Sequence, residues 1–240
     1  MGLSALGAAA LGAAVGGSHA ALVGDLLYPL GFIAVIVGRA QLFTENTLFP
    51  VILVLERRRH LRNTLRLWMV VFGANIVGTL LFALLAVSAS ATSPEVVRAL
   101  SELGRTVASG SELHLFWAGV AGGWIIALVA WLISATRFTI AQVALIWFLT
   151  FAIAVAHLAH CVAGSAEVLS AVMAGTVSVG HYLHWLWPVT LGNTLGGVVI
   201  VALLNYAQVR GSGQDSDRTG SSLEDVEDEH ITPARARARS

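Results

Sequence analysis

The chain lacks lysine, contains a single cysteine and carries little charge of either sign. Only 12% of its 240 residues are charged, against about 25% in a typical soluble domain, whereas 56% are hydrophobic. This composition excludes a disordered chain and a nucleic-acid-binding protein, and it argues against a water-soluble enzyme. The lone Cys161 excludes an internal disulfide and a thiolate metal site, so we expect neither a metal nor another cofactor. The composition favours an all-α polytopic protein of the lipid bilayer.

The charges that are present are concentrated at one end of the chain. Residues 210–240 hold five of the 14 arginines and seven of the 14 acids, among Gly and Ser residues and without apolar periodicity. Such a segment cannot bury enough apolar surface to fold. We therefore predict a transmembrane domain at 1–209 and a disordered, solvated cytoplasmic tail at 210–240, with a regulatory or lipid-contacting tail as the alternative.

Six apolar stretches are long enough to cross a membrane as helices, which takes about 20 residues each. They lie at 1–20, 25–55, 66–89, 113–134, 138–177 and 186–209. The second and fifth are too long for one straight helix, and polar residues interrupt them near Thr44 and His160. Irregular backbone is tolerated at membrane depth only inside protein or around a water-filled cavity. The sequence therefore predicts two broken helices.

The placement of arginine predicts the orientation in an inner membrane. Four arginines lie in the loop 56–62, and Arg137 and Arg210 lie in later connections on the same side, whereas the loop 90–112 balances two arginines with three acids. Because cytoplasmic loops are enriched in arginine, both termini are expected in the cytoplasm. A signal peptide is not favoured, since no basic residue precedes Arg39.

The two halves of the apolar region look like copies of each other. Asn75 and Asn193 stand beside glycines in similar segments 118 residues apart, and the breaks near Phe43 and His160 are 117 apart. Copies with three spans each must be inverted, and paired broken helices in inverted repeats indicate a substrate path at the membrane midplane. The fourth span starts five positions before the counterpart of Met1, so we expect a first span about one turn short.

His160 is the candidate for chemistry at the second break. The start of a helix offers free N–H groups and a positive dipole end, which favour an anion. Histidine changes charge near neutral pH, so His160 could give a proton to a weak-acid anion and take it back. The alternative is a buried neutral histidine bonded to a backbone carbonyl. His157 is interpreted as structural, and a metal cluster with Cys161 would lack a fourth ligand.

Further polar residues stand at membrane depth. Arg39, Glu45 and Glu167 are expected to neutralise one another between helices or protomers, with a role in a permeation path as the alternative. Asn75 and Asn193 are expected to bond to the broken helices, and the neighbouring glycines allow close packing.

Three motifs carry a family resemblance. Residues 42–46 read L-F-T-E-N, residues 188–197 read P-V-T-L-G-N-T-L-G-G, and His160 is followed by Val162 and Ala163. They resemble the L-F-T-x-N, P-V-T-x-G-N-x-x-G-G and H-x-x-A motifs of the formate/nitrite transporter family, in that family's places. The resemblance covers about residues 1–209.

The resemblance implies a homo-pentamer of aquaporin-like protomers, each with its own pore. Members pass formate, nitrite, hydrosulfide or similar monovalent anions, often coupled to protons. Phe43 would stand beside Phe32 at a cytoplasmic constriction. The residues that match pore positions of the family are His160, Thr44, Asn193, Phe43, Phe32, Ile126 and Ile153.

Some positions depart from the family pattern. Ala159 stands where the family often has an acid or another polar residue, Gly164 where it often has Asn, and Val107 near the position of a vestibule lysine. These differences alter the field that attracts the solute and point to a divergent branch.

We therefore expect a channel or transporter for small monovalent anions. An enzyme is not expected, because the chain offers neither a nucleophile in a catalytic arrangement nor a complete metal site. An aquaporin-like pore for neutral solutes and a non-transporting accessory protein are the alternatives.

Overall fold

The computed structural model describes residues 1–47, 61–88 and 91–203, and side chains in these ranges up to Val199. The described residues up to Ala202 form one compact unit built from helices. The α-helices are α1 (Gly2–Val15), α2 (Ala20–Asp25), α3 (Pro29–Val37), α4 (Leu61–Val87), α5 (Pro94–Val107), α6 (Glu112–Ser134), α7 (Thr139–Val155), α8 (Cys161–Met173) and α9 (Val179–Leu195). A π-helix, Gly196–Leu203, continues α9, and short 3-10 helices lie at Gly17–His19 and Glu45–Thr47.

Three helical segments are long and apolar enough to span a membrane. They are Gly17–Val37, Leu61–Val87 and Glu112–Ser134, with mean hydropathies of 2.1, 2.4 and 2.0. Helices α1, α7 and α8 are apolar but shorter. The second half of the second predicted span, the loop 56–60 and the predicted tail fall outside the described residues.

The observed helix starts refine the predicted spans. The fourth span agrees within one residue, the third is already helical at Leu61, where the described residues resume, and the sixth begins at Val179, seven residues earlier than expected. The early start of α9 follows from its cap, because the Ser178 hydroxyl accepts the backbone N–H of His181. Helix α1 has 14 residues and α6 has 23.

Helix α5 occupies the connection that was expected to be a loop at 90–112. Ser93 caps its N-terminus and Pro94 takes the first turn, a common start signal that the sequence does carry. Its buried face packs on α8 so closely that a Cβ atom on Gly104 would collide with the carbonyl oxygen of Glu167. Helix α5 therefore lies against the second half of the fifth span.

Helices α6 and α9 make a close contact through small residues. Gly119 and Gly123 on α6 face Gly192 on α9 and Gly196 just beyond it, one turn apart on each side. A Cβ atom on Gly123 would overlap the backbone of Asn193. Small-xxx-small spacing on both partners is the usual way for membrane helices to bring their backbones together.

We expect Gly123→Ala to destabilise the protein by about 1–3 kcal/mol, because the added methyl group overpacks the α6–α9 contact. Gly78→Ala on α4 is the matched control, since a Cβ atom there meets nothing within 4 Å and alanine favours the helix. Thermal unfolding in detergent measures both, and equal midpoints for the two variants would contradict the packing.

Candidate functional site

The two breaks have the same backbone geometry. Helix α3 ends at Val37 and α7 at Val155, and in each case the second residue beyond the end is left-handed: Arg39 with φ 55° and His157 with φ 51°. The third N–H beyond each helix end bonds back to a carbonyl in the last turn. The matched positions lie 118 residues apart, so the offset of 117 expected for the breaks was one residue too small. The polar residues in an apolar stretch locate each break, but they do not show which residue of the first break matches which residue of the second.

Asn193 holds the second break together. Its Oδ1 accepts the backbone N–H of Cys161 at 2.8 Å, and its Nδ2 donates to the carbonyls of Ala159 at 2.9 Å and Gly119 at 2.7 Å. The side chain is fully buried. One amide thus satisfies three backbone groups, on either side of His160 and on α6.

Asn75 does the same at the first break. Its Oδ1 accepts the N–H of Phe43 at 2.9 Å, and its Nδ2 donates to the carbonyl of Gln41 at 3.0 Å. Each of these residues lies 118 positions before its counterpart at the second break. Asn75 is half-buried and makes two bonds, against three for Asn193.

His160 is fixed through both ring nitrogens. It is the N-cap of α8, where Nδ1 accepts the N–H of Ala163 at 3.0 Å, and Nε2 lies 2.7 Å from the Thr44 hydroxyl. An Nδ1 that accepts a hydrogen bond carries no proton, so the neutral ring has its proton on Nε2 and donates to Thr44. His160 and Thr44 are both buried, and their bond joins the two breaks.

The start of α8 is already occupied by side chains. Asn193 takes the N–H of Cys161, and His160 takes that of Ala163. The expectation that this helix start offers free N–H groups to an anion is therefore wrong for these two groups, because capping satisfies them. The helix dipole persists at this end.

The apolar candidates are buried but do not all meet. The Phe32 ring packs edge-on against His160 at 5.1 Å and also meets Tyr28, whereas Phe43 packs against Trp68 and Phe72 of α4. Among the aromatic contacts of the described residues, none joins Phe32 to Phe43. Both side chains belong to the main hydrophobic core.

The two isoleucine candidates are fully buried. Ile126 belongs to α6 and Ile153 to α7, and both lie in the main hydrophobic core. Ile153 also lines the large cavity, which Ile126 does not.

A large cavity of about 640 Å³ reaches His160. Its lining includes three acids and three histidines and, among the described residues, no arginine. The acids are Asp25, Glu102 and Glu167, and the histidines are His114, His157 and His160. This large cavity therefore places carboxyl groups near the buried histidine.

A small cavity of about 320 Å³ lies at the first break. It is lined by Ile36, Arg39, Ala40, Gln41, Glu45 and Asn46. Within the described parts of a single chain, Arg39, Glu45 and Glu167 form no ion pair with one another, so their mutual neutralisation is not seen inside the protomer. In the same ranges, no three His, Cys, Asp or Glu side chains are placed to hold a metal ion.

Asp25 and Tyr28 were missed by the sequence reasoning, although both line the large cavity. Asp25 is the first charged residue of the chain and stands in an apolar segment, which is a signal the sequence carries. Tyr28 has no such signal, because its position depends on the turn between α2 and α3.

We expect Asn193→Ala to cost about 2–4 kcal/mol of stability, because it leaves one buried N–H and two carbonyls without partners. Asn75→Ala should cost less, since its side chain is half-buried and holds two groups. Thermal unfolding in detergent compares the two, and a larger loss for Asn75→Ala would contradict the observed bonding.

Comparison with known proteins adds to this geometry. A sequence profile described as Formate/nitrite transporter matches residues 1–207. The chain is 34% identical over 195 residues to the inner membrane protein YfdC of Escherichia coli, covering 79% of this chain and 61% of that one. It is 28% identical over 202 residues to a probable formate transporter of Methanothermobacter thermautotrophicus, covering 77% and 74%.

Two solved structures have the same fold. An FNT family ion channel superposes with a TM-score of 0.77 at 24% identity, covering 86% of this chain and 84% of that one. A pentameric formate channel with formate bound gives 0.70 at 18% identity, covering 87% and 93%. The chain spans less than two thirds of the length of YfdC. With the family profile covering most of its length, this multi-pass membrane protein belongs to the formate/nitrite transporter family.

Proposed function

We propose that the chain forms a path across the inner membrane for small monovalent anions such as formate, nitrite or hydrosulfide. The observation that carries this proposal is the buried Thr44–His160 hydrogen bond, which joins the two breaks. His160 lines the large cavity, and Glu45, the neighbour of Thr44, lines the small one. A narrow polar contact between two cavities is the arrangement that a selective path needs.

The proposal includes the architecture predicted from the sequence. Six spans form two inverted three-helix repeats with the second and fifth helices broken, both termini cytoplasmic, and a tail at 210–240. The matched turns at Arg39 and His157 support the repeat, as do the matched bonds of Asn75 and Asn193. Inverted repeats of this kind place the substrate path at the midplane.

Charged and apolar side chains have different roles along the path. Arg39 lines the small cavity and gives it a cation that attracts an anion. Phe32 packs beside His160, and Ile153 lines the large cavity. Apolar side chains at these places exclude a hydrated ion. The solute must therefore lose its water shell at the Thr44–His160 contact.

His160 serves this contact as a neutral donor. Its Nε2–H points to Thr44, which leaves the threonine hydroxyl proton free to bond the solute. A second proton on Nδ1 would break the cap bond to Ala163. In this mechanism the histidine orients Thr44, and proton donation by His160 requires that the cap be released first.

Proteoliposome flux of formate, nitrite and hydrosulfide, measured against pH, tests the function. We expect wild-type protein to conduct at least one of these anions and His160→Ala to conduct much less. Equal flux from both would remove His160 from the path. Liposomes impermeable to every small anion would overturn the proposal, and passage of neutral solutes alone would favour an aquaporin-like pore.

Thr44→Val should lower anion flux about tenfold, the effect of one lost hydrogen bond of about 1.4 kcal/mol to the solute. Thr44→Ser keeps the hydroxyl and should retain most of the flux. Thr44→Val keeps the shape of the side chain and Thr44→Ser removes only its methyl group, so monodisperse protein of each supports the comparison. Similar losses for valine and serine would show that shape rather than the hydroxyl matters.

We expect the purified protein to be a homo-pentamer, since the structural relative with formate bound is pentameric. Native mass spectrometry or light scattering in detergent should give five chain masses. A monodisperse monomer that still conducts would refute this assembly.

A further inference from the structure

Glu167 is the buried acid that the proposed path does not use. It lies two turns into α8, is 4% exposed and lines the large cavity. Its neighbours Ser165 and Ser170 bond to backbone carbonyls, whereas no described residue forms a hydrogen bond with the Glu167 carboxyl group. A buried, unpartnered carboxyl group that opens into a cavity needs a function, because burial without a partner is costly.

Glu167 and His160 share one face of α8. His160, Gly164 and Glu167 follow one another at i, i+4 and i+7, and all three line the large cavity. The spacing places the carboxyl group about 10 Å along the helix axis from the histidine. A solute in this cavity therefore has both His160 and Glu167 in its walls.

A second acid stands in the cavity with Glu167. Asp25 and His157 line the same cavity. Two acids that share an apolar site hold a proton more readily than one. Within the described residues the cavity contains no arginine that would stabilise a second carboxylate.

The other titratable groups around α8 are few. Helix α5 brings Glu102, which pairs with Arg105 on its exposed side, and α9 brings Tyr182, which bonds to Ser165. Helix α1 carries no acidic or basic side chain, and α4 carries its arginines in its first two turns. The remaining groups that line the cavity with Glu167 are Tyr28, His114, His157 and His160.

We propose that Glu167 is the proton donor that neutralises a weak-acid anion in the large cavity. This inference rests on the proposed anion path. The Glu167 carboxylic acid transfers its proton to the anion, which leaves a carboxylate and the neutral acid. The neutral acid passes the narrow Thr44–His160 contact, and the carboxylate takes a new proton from water in the cavity. One anion and one proton thus cross together, without net charge.

The chemistry selects the substrate class. An anion whose conjugate acid is small and uncharged, such as formate, can use the donor. The anion of a strong mineral acid cannot, because it does not accept a proton from a carboxylic acid. We therefore expect formate to pass and nitrate, of similar size, to be excluded.

The test measures formate uptake and internal pH together in proteoliposomes, from mildly acidic to mildly basic conditions. Wild type should take up protons with formate and keep its flux at neutral pH. Glu167→Gln should lose at least tenfold of the neutral flux. Its remaining flux should follow the fraction of free formic acid, which falls about tenfold per pH unit. Glu167→Asp keeps an acid and should retain the shallow pH profile.

Glu102→Gln is the comparison for charge alone, since it removes a negative charge from the same cavity at an exposed side chain. It should not lower formate flux. A fall like that of Glu167→Gln would overturn the donor role, as would an unchanged or increased flux in Glu167→Gln.

Asp25→Asn keeps the inference testable if Glu167→Gln does not fold. Without the neighbouring charge, Glu167 should lose its proton more easily, so the pH of half-maximal flux should move to more acidic values. An unmoved profile would overturn the inference. Wild-type liposomes that pass no small anion would overturn the proposed path itself, whereas conduction with an unaltered Glu167→Gln profile would overturn the donor alone.

Discussion

The structure depends on satisfying backbone hydrogen bonds where no water is available. A helix that stops at membrane depth leaves N–H and carbonyl groups without partners, at several kcal/mol each in hydrocarbon. Here one asparagine on the following helix serves each break, with Oδ1 accepting and Nδ2 donating on either side of the central residue. The side chains that the breaks present, Thr44 and His160, are placed because those amides hold the backbone.

Hydrogen bonding also fixes the tautomer of His160. His160 caps α8 with Nδ1 and donates from Nε2 to Thr44, so both ring nitrogens are committed. A neutral imidazole whose two nitrogens are both hydrogen-bonded can orient Thr44, but it cannot bind a second proton without losing a hydrogen bond. In the proposed mechanism another group supplies the proton, and Glu167 is a buried acid that lines the large cavity. Solute selection at His160 and proton transfer at Glu167 would then be separate functions of one helix.

Much of this arrangement was readable in the sequence. Apolar stretches and their polar interruptions locate the spans and breaks, and the recurrence of Asn75 as Asn193 indicates the repeat. The sequence did not reveal helix α5, because its connection is too polar to stand out by hydropathy. It also did not show that His160 would cap its own helix or that Phe32 would pack against His160. Those features depend on backbone angles and on tertiary packing, and neither of these produces a periodic pattern in the sequence.

The glycine contact between α6 and α9 affects how firmly the two breaks are held. Asn193 stands on that close-packed pair and ties the second break to it with three bonds, one of them to Gly119. Asn75 stands on α4, half-exposed, with open space around Gly73 and Gly78. Fewer side-chain hydrogen bonds therefore oppose backbone displacement at the first break than at the second, two from Asn75 against three from Asn193.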